Sequence, residues 1–291
     1  MGNTMILGAS GFLGRYMAQE FKSSAQLHSR TERVNSNFDY ISEFESESDV
    51  ARLFSENDFD TLINCIALAD LEKCESSPDS AIWLNKTLPG LLAKYSRRHN
   101  KKITHISTDA VFNIGKKYAA ENDQKEPQSW YARTKLDGEN LVLQEAKEFN
   151  IFRVNFYGKS PNQKGLLEYF YHNLKVDKQI VGYKDVFFTP LYAEDTARII
   201  KMVSESRNTG VFHLVGTERL SKYEFGRKVA KRMAKGDELI TPTNFNDSPL
   251  AVNRTRELSL DASKIRNLGY IIPPLESGIK RAIAELENDK N

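Results

Sequence analysis

Tyr131 and Lys135 stand four residues apart, downstream of Ile106-Ser107-Thr108-Asp109. On a helix that spacing puts a phenol and an amine on one face, one turn apart. A free tyrosine has a pKa of about 10, too high for efficient proton exchange at neutral pH. An ammonium beside it favours the phenolate and lowers that value. Thr108 ends an apolar strand pattern, at the side where ligands of open α/β sheets gather. Its hydroxyl can hydrogen-bond the same carbonyl oxygen that Tyr131 protonates, giving two donors on one developing oxyanion. Taken alone, each half is ordinary. Tyr-x-x-x-Lys is common on exposed helices in a chain with 12 tyrosines, and Ser107-Thr108-Asp109 reads as well as a turn or cap.

A second motif supplies the missing reactant. Gly8-Ala9-Ser10-Gly11-Phe12-Leu13-Gly14 follows a short apolar strand and leads into a helical pattern. That context is the one a dinucleotide-binding loop requires. A Cβ at the loop glycines would hold a pyrophosphate away from the backbone N–H groups at the helix N-terminus. Gly14 lets the helix pack on the sheet. Gly8, Ser10, Gly11, Phe12, Leu13 and Gly14 are therefore the first cofactor-site candidates, although the spacing differs from the commoner G-x-G-x-x-G. At the end of the second strand an NAD site usually places an acid. This chain has Ser29-Arg30-Thr31. Arg30 can pair with a 2′-phosphate that an acid would repel, so NADPH is predicted over NADH. Glu32 keeps NADH open.

The elements that must position these residues alternate. Strands are expected at 4–7, 26–29, 61–67, 102–107 and 151–157, with helices from Phe12, at 49–54, from Pro78 and from Ser129. Pro89 predicts a kink or break in the helix that Pro78 opens. The alternation predicts an α/β fold, a Rossmann-type doubly wound parallel sheet with a smaller C-terminal α/β substrate-binding lobe. Residues 1–158 form the dinucleotide-binding domain in this reading. Residues 159–291 form mainly the lobe, interleaved with the last sheet strands. In that half, helices are expected near 165–174, 192–204, 221–235 and 275–287, strands at 179–183 and 211–215, and a loop over 236–249.

Composition excludes several classes. The 291 residues carry 41 basic and 39 acidic side chains, a formal net charge of +2, which makes no electrostatic case for nucleic acid. The run Arg97-Arg98-His99-Asn100-Lys101-Lys102 reads as a solvated helix C-terminus. Cys65 and Cys74 form no CxxC pair or Cys/His cluster, so neither a disulfide nor a cysteine-based metal site is expected. The amino-terminal residues read as a strand without a basic leader, and no run reaches membrane-spanning length. A cytoplasmic location, with no membrane partner, is the expectation.

The ordered set of motifs resembles the extended short-chain dehydrogenase/reductases, and within them the dTDP-4-dehydrorhamnose reductase family. The residues that carry the likeness are the glycine loop, Ile63-Asn64, Asn85, Ile106 to Phe112, Tyr131-Ala132-Arg133-Thr134-Lys135-Leu136-Asp137-Gly138-Glu139, Arg153 to Gly158, Asp185 to Pro190, and Arg254-Thr255-Arg256 before Leu260-Asp261. The resemblance implies reduction of the 4-keto group of a nucleotide-linked 6-deoxy-hexulose, in polysaccharide biosynthesis. It implies that Tyr131 protonates the oxygen, Thr108 orients the carbonyl, and Lys135 tunes the phenol and holds the nicotinamide ribose. Asn64, Cys65, Ile66 and Ala67 would line the nicotinamide side. Asp109, Asn155 and Thr189 would lie near the sugar, and Arg254 near the diphosphate. No metal is predicted, and a homodimer is one open oligomeric state. Cys65 and Ile66 are bulkier than the alanines frequent in the family, and Phe156 stands where tryptophan is frequent, which leaves the sugar open. Two rival readings remain. One is an epimerase or dehydratase of the same superfamily, against which Asp109-Ala110 replaces a dehydratase's Asp-Glu pair. The other is a non-catalytic NADP-binding regulator, like the regulatory subunit of methionine adenosyltransferase.

Overall fold

The structure is a computed structural model and describes residues 3–31, 38–113, 115–245 and 255–288. Its main sheet has seven strands. Six are β1 (Thr4–Leu7), β2 (Ala25–Ser29), β3 (Tyr40–Ile41), β4 (Thr61–Asn64), β5 (Lys102–Thr108) and β6 (Phe149–Val154); the seventh is Gly210–Leu214. They lie in the order Gly210–Leu214, β6, β5, β4, β1, β2, β3. The pairs of β1 with β2 and β4, β2 with β3, and β4 with β5 are parallel. This is the doubly wound order, with the direction of winding reversing beside β1. Met5, Ile6, Leu7, Leu62 and Ile63 are each 0% exposed, as expected where helices cover both faces of a sheet.

Register brings the strand ends level. Leu7 sits opposite Asn64, and Asn64 opposite His105. β4 stops at Asn64, three residues short of the expected end. The Asn64 Oδ1 accepts from the Ile66 N–H at 3.0 Å, and this local turn competes with further pairing.

Helix α1 (Phe12–Phe21) begins at the glycine loop, and α2 (Glu47–Glu56) is opened by a capping box of Ser46 and Asp49. The helix entered at Pro78 does not break at Pro89. It passes from Pro78–Ile82 through a π-helical stretch, Trp83–Thr87, into Leu88–Arg98. Pro89 thereby falls in the first turn of the last segment, where its missing N–H costs little. The helix Trp130–Glu145 starts where Ser129 accepts from the Ala132 N–H at 3.2 Å. Sequence reasoning missed the short strand β3 and the helix Leu71–Ser76.

The chain divides into two compact units. The first holds residues 1–111, 127–153 and 197–212. In it, Lys102 at the start of β5 donates to the carbonyls of Val203, Ser204, Ser206 and Asn208 at 3.5, 3.1, 2.9 and 3.2 Å. One cation thus satisfies the carboxyl end of the helix Ala193–Ser204 and the turn behind it. The second unit holds residues 112–126, 154–196 and 213–291. Its helices Leu166–Lys175, Lys222–Arg232 and Leu275–Asn288 agree with the expected spans. The expected loop over 236–249 instead contains the strand Ile240–Thr243, paired in parallel with Ile180–Tyr183. Pro242 and exposed neighbours disguise it, since only Ile240 in that strand is buried.

Candidate active site

The glycine loop is shaped by its missing side chains. Gly8 has φ +75°, and a Cβ there would lie 3.1 Å from the Ile66 nitrogen. A Cβ on Gly14 would stand 2.0 Å from the Gly8 carbonyl oxygen, so only glycine lets α1 approach the loop this closely. Gly11 caps α1 without any side-chain hydrogen bond, which leaves the helix N-terminus to other acceptors. His28, unforeseen from the sequence, braces the loop from β2. Its Nε2 donates to the Ser42 carbonyl at 2.9 Å, its Nδ1 accepts from the Gly8 N–H at 3.3 Å, and burial pushes its pKa down.

A cleft of about 840 Å³ opens along this loop. Gly8, Ser10 and Gly11 form one side, Cys65, Ile66, Ala67 and Leu68 another, and Arg30, Glu43 and Trp83 a third. The positive φ, the glycine cradle and the uncapped helix end fit a dinucleotide. Of the remaining loop candidates, Leu13 is buried and Phe12 packs on Tyr16. Ser29 is 0% exposed; its hydroxyl donates to the Thr31 carbonyl at 2.8 Å and meets the Ser10 Oγ at 3.0 Å, supporting the cleft from behind. Arg30 lies on the cleft and meets Glu43 at 3.6 Å, an acid that sequence reasoning did not place there.

Thr108, Asp109, Tyr131 and Lys135 come together in the first unit. The Thr108 hydroxyl donates to Asp109 Oδ1 at 3.0 Å, accepts from the Ala110 N–H at 3.2 Å and shares a hydrogen bond with the Tyr131 phenol. Lys135 is 1% exposed; its Nζ donates to the Ile106 carbonyl at 2.6 Å and lies 3.4 Å from His105 Nε2. Burial lowers its pKa to about 8, opposed by the Glu139 carboxylate. The expected lowering of the phenol does not occur. Burial raises Tyr131 to about 12, the Thr108 hydrogen bond pulls the other way, and Asp109 adds to the rise. Loss of solvation dominates, and the Lys135 amine is engaged with the Ile106 carbonyl and His105. Cys65, raised to about 12 by burial, joins the two regions, since it borders the cleft and lies in the field of Lys135.

Asn64 does not line the cleft. It is 0% exposed, and its Nδ2 meets His105 Nδ1 at 3.2 Å. Asn85, in the π-helical stretch, clamps the cleft wall to the helix of Tyr131. It accepts from the Leu68 N–H at 2.9 Å, and donates to the Leu68 carbonyl at 3.0 Å and Thr134 Oγ1 at 3.2 Å. In the second unit Asn155 is half-buried and its carbonyl accepts from the Leu191 N–H at 2.9 Å. Thr189 is 0% exposed, and its hydroxyl accepts from the Leu260 N–H at 3.1 Å. Arg254 lies outside the described residues. Among the described residues, no group of three or more His, Cys, Asp and Glu side chains converges to hold a metal ion. No helix among them is long and apolar enough to cross a membrane.

Fold and sequence together define an extended short-chain dehydrogenase/reductase. The chain belongs to the RmlD family: the family model described as "RmlD substrate binding domain" matches residues 2–288. It is 27% identical over 285 residues to the "Probable low-salt glycan biosynthesis reductase Agl14" of Haloferax volcanii, covering 94% of this chain and 95% of that protein. It is 28% identical over 302 residues to methionine adenosyltransferase 2 subunit beta of Mus musculus, covering 98% and 88%. The crystal structure of a dTDP-4-dehydrorhamnose reductase from Clostridium acetobutylicum matches with a TM-score of 0.85 at 25% identity, over 98% of this chain and 99% of that one.

Proposed function

We propose that this chain is an NAD(P)-dependent reductase of a nucleotide-linked 4-keto-6-deoxy sugar, with NADPH preferred. The observation that supports it most is the convergence of Thr108, Tyr131 and Lys135 beside a glycine-loop cleft. The likeness to dTDP-4-dehydrorhamnose reductase supports the substrate class. Gly8, Ser10, Gly11, Arg30 and Cys65 to Ala67 would hold the dinucleotide, which when bound supplies the hydride. Tyr131 then gives its phenolic proton to the keto oxygen. Thr108, whose single proton points at Asp109 Oδ1 before substrate binds, would turn that proton to the keto oxygen as a second hydrogen bond. Lys135 would contact the nicotinamide ribose. Asp109 would hold that hydroxyl only until the keto oxygen replaces it as acceptor.

Burial keeps the Tyr131 phenol protonated at neutral pH, the form from which it would give a proton to the keto oxygen.

The test is a panel of dTDP-, UDP-, GDP- and CDP-linked 4-keto sugars, scored by loss of NADPH absorbance, with Tyr131→Phe alongside. Stoichiometric NADPH consumption with one of them is expected. The variant should lose at least about 10²-fold in turnover while binding NADPH as before. Near-wild-type turnover in the variant would remove Tyr131 from its role, and product without net NADPH loss would make the chain an epimerase.

The likeness to methionine adenosyltransferase 2 subunit beta favours a second reading, a chain that binds dinucleotide without turning it over. No consumption across the panel, with tight NADPH binding, would select it.

A further inference from the structure

Asn64, His105 and Lys135 form a buried line in the first unit, and the hydrogen bonds along it cannot all be satisfied with an ammonium at its end. The line starts at the Ile66 N–H, which donates to Asn64 Oδ1 at 3.0 Å. That contact fixes the amide, because an N–H requires the oxygen. Nδ2 of Asn64 must then face His105 Nδ1, 3.2 Å away. Nδ2 has only protons to offer, so Nδ1 accepts. A neutral imidazole carries one proton, which therefore sits on Nε2. His105 is 0% exposed and its pKa lies well below the usual value, through burial and the nearby Lys135, so a second ring proton is disfavoured. Nε2–H is thus a donor directed at Lys135 Nζ, 3.4 Å away. An ammonium has no lone pair to receive it, whereas an amine has one.

We propose that His105 is a positioning residue for Lys135: locked by Asn64 as the Nε2–H tautomer, it offers Nζ a donor and so favours the amine over the ammonium. The groups facing Nζ divide into two camps. The Ile106 carbonyl at 2.6 Å and the Glu139 carboxylate, on the same helix, favour the ammonium, as a Cys65 thiolate would. Burial and the His105 N–H oppose it. The balance leaves Lys135 far closer to neutrality than an exposed lysine. The role in turnover rests on the reductase reading above; the tautomer does not.

The test reads both. The protein labelled with ¹⁵N-histidine contains five histidines, and His105→Gln assigns the resonance. The ring nitrogens should report the Nε2–H tautomer throughout, with an inflection near pH 8 from Lys135 that vanishes in Lys135→Met. An Nδ1–H tautomer would overturn the proposal, whether or not any sugar is reduced, and so would a ring insensitive to Lys135. In turnover, His105→Leu should move the alkaline limb of kcat/KM upward by about one pH unit. A folded, active His105→Leu with its limb unmoved would overturn it too, since a purely structural residue leaves that limb in place.

Discussion

An ammonium sealed from water destabilises the chain that holds it, and Lys135 makes the effect measurable. Its pKa falls from 10.5 in the open chain to about 8 in the fold. Between those values the unfolded chain binds more protons than the folded one, so stability rises with pH. Below about pH 8 the burden is present in full. Lys135→Met lacks it. The stability of the wild type relative to Lys135→Met should therefore improve from about pH 7 to about pH 10, by up to about 3 kcal/mol. Urea titrations of both proteins at the two pH values check this, and a constant gap would contradict the assigned pKa. Arg30 carries a different prediction. Its ion pair with Glu43 is long and exposed, with side chains 70% and 57% accessible, so separating it costs little. Arg30 is free to turn to a 2′-phosphate. Arg30→Ala should weaken NADPH about tenfold and leave NADH nearly unchanged, by fluorescence titration; equal losses would remove Arg30 from the choice of cofactor.

At the level of elements, the helix Trp130–Glu145 is tied to the sheet by charge as well as by packing. Glu139 is 0% exposed and accepts from Ser107 Oγ at 2.5 Å, from Arg153 Nε at 3.0 Å and from Arg153 Nη2 at 2.7 Å. Ser107 belongs to β5 and Arg153 to β6, so one carboxylate holds two strands to the helix of Tyr131 and Lys135. Arg153→Met leaves that buried carboxylate with the Ser107 hydroxyl and the Lys135 amine nearby but without its ion-pair partner, and should cost about 3–5 kcal/mol of stability. Adding Glu139→Gln should restore part of it, as seen in denaturation midpoints; strict additivity would mean the pair is uncoupled. Much of this architecture is legible from residue order. The strands, the helix of Tyr131 and the N-cap at Ser129 follow from hydrophobic period and capping chemistry, which are local. His105, His28 and Glu43 are not legible, because each matters through a partner distant in the chain. His105 did carry a usable sign: it precedes Ser107 by two in β5, so alternation puts both on one face, and that face meets Lys135 and Glu139.

For the whole molecule, what matters is how the first unit is assembled from three stretches, 1–111, 127–153 and 197–212. A fragment ending at residue 153 keeps six strands and loses the one beside β6. It also strands the Lys102 cation, whose four carbonyl partners lie between Val203 and Asn208, and bares the β6 edge. Such a fragment should show no cooperative unfolding and should aggregate, as judged by circular dichroism and light scattering. A fragment that melts sharply would show the closing strand to be dispensable. The same order of segments governs manufacture on the ribosome. The strand beside β6 emerges only after roughly three quarters of the polypeptide has been translated. Until then the nascent sheet waits with an open flank, and this protein should lean on holding chaperones late in its synthesis rather than early.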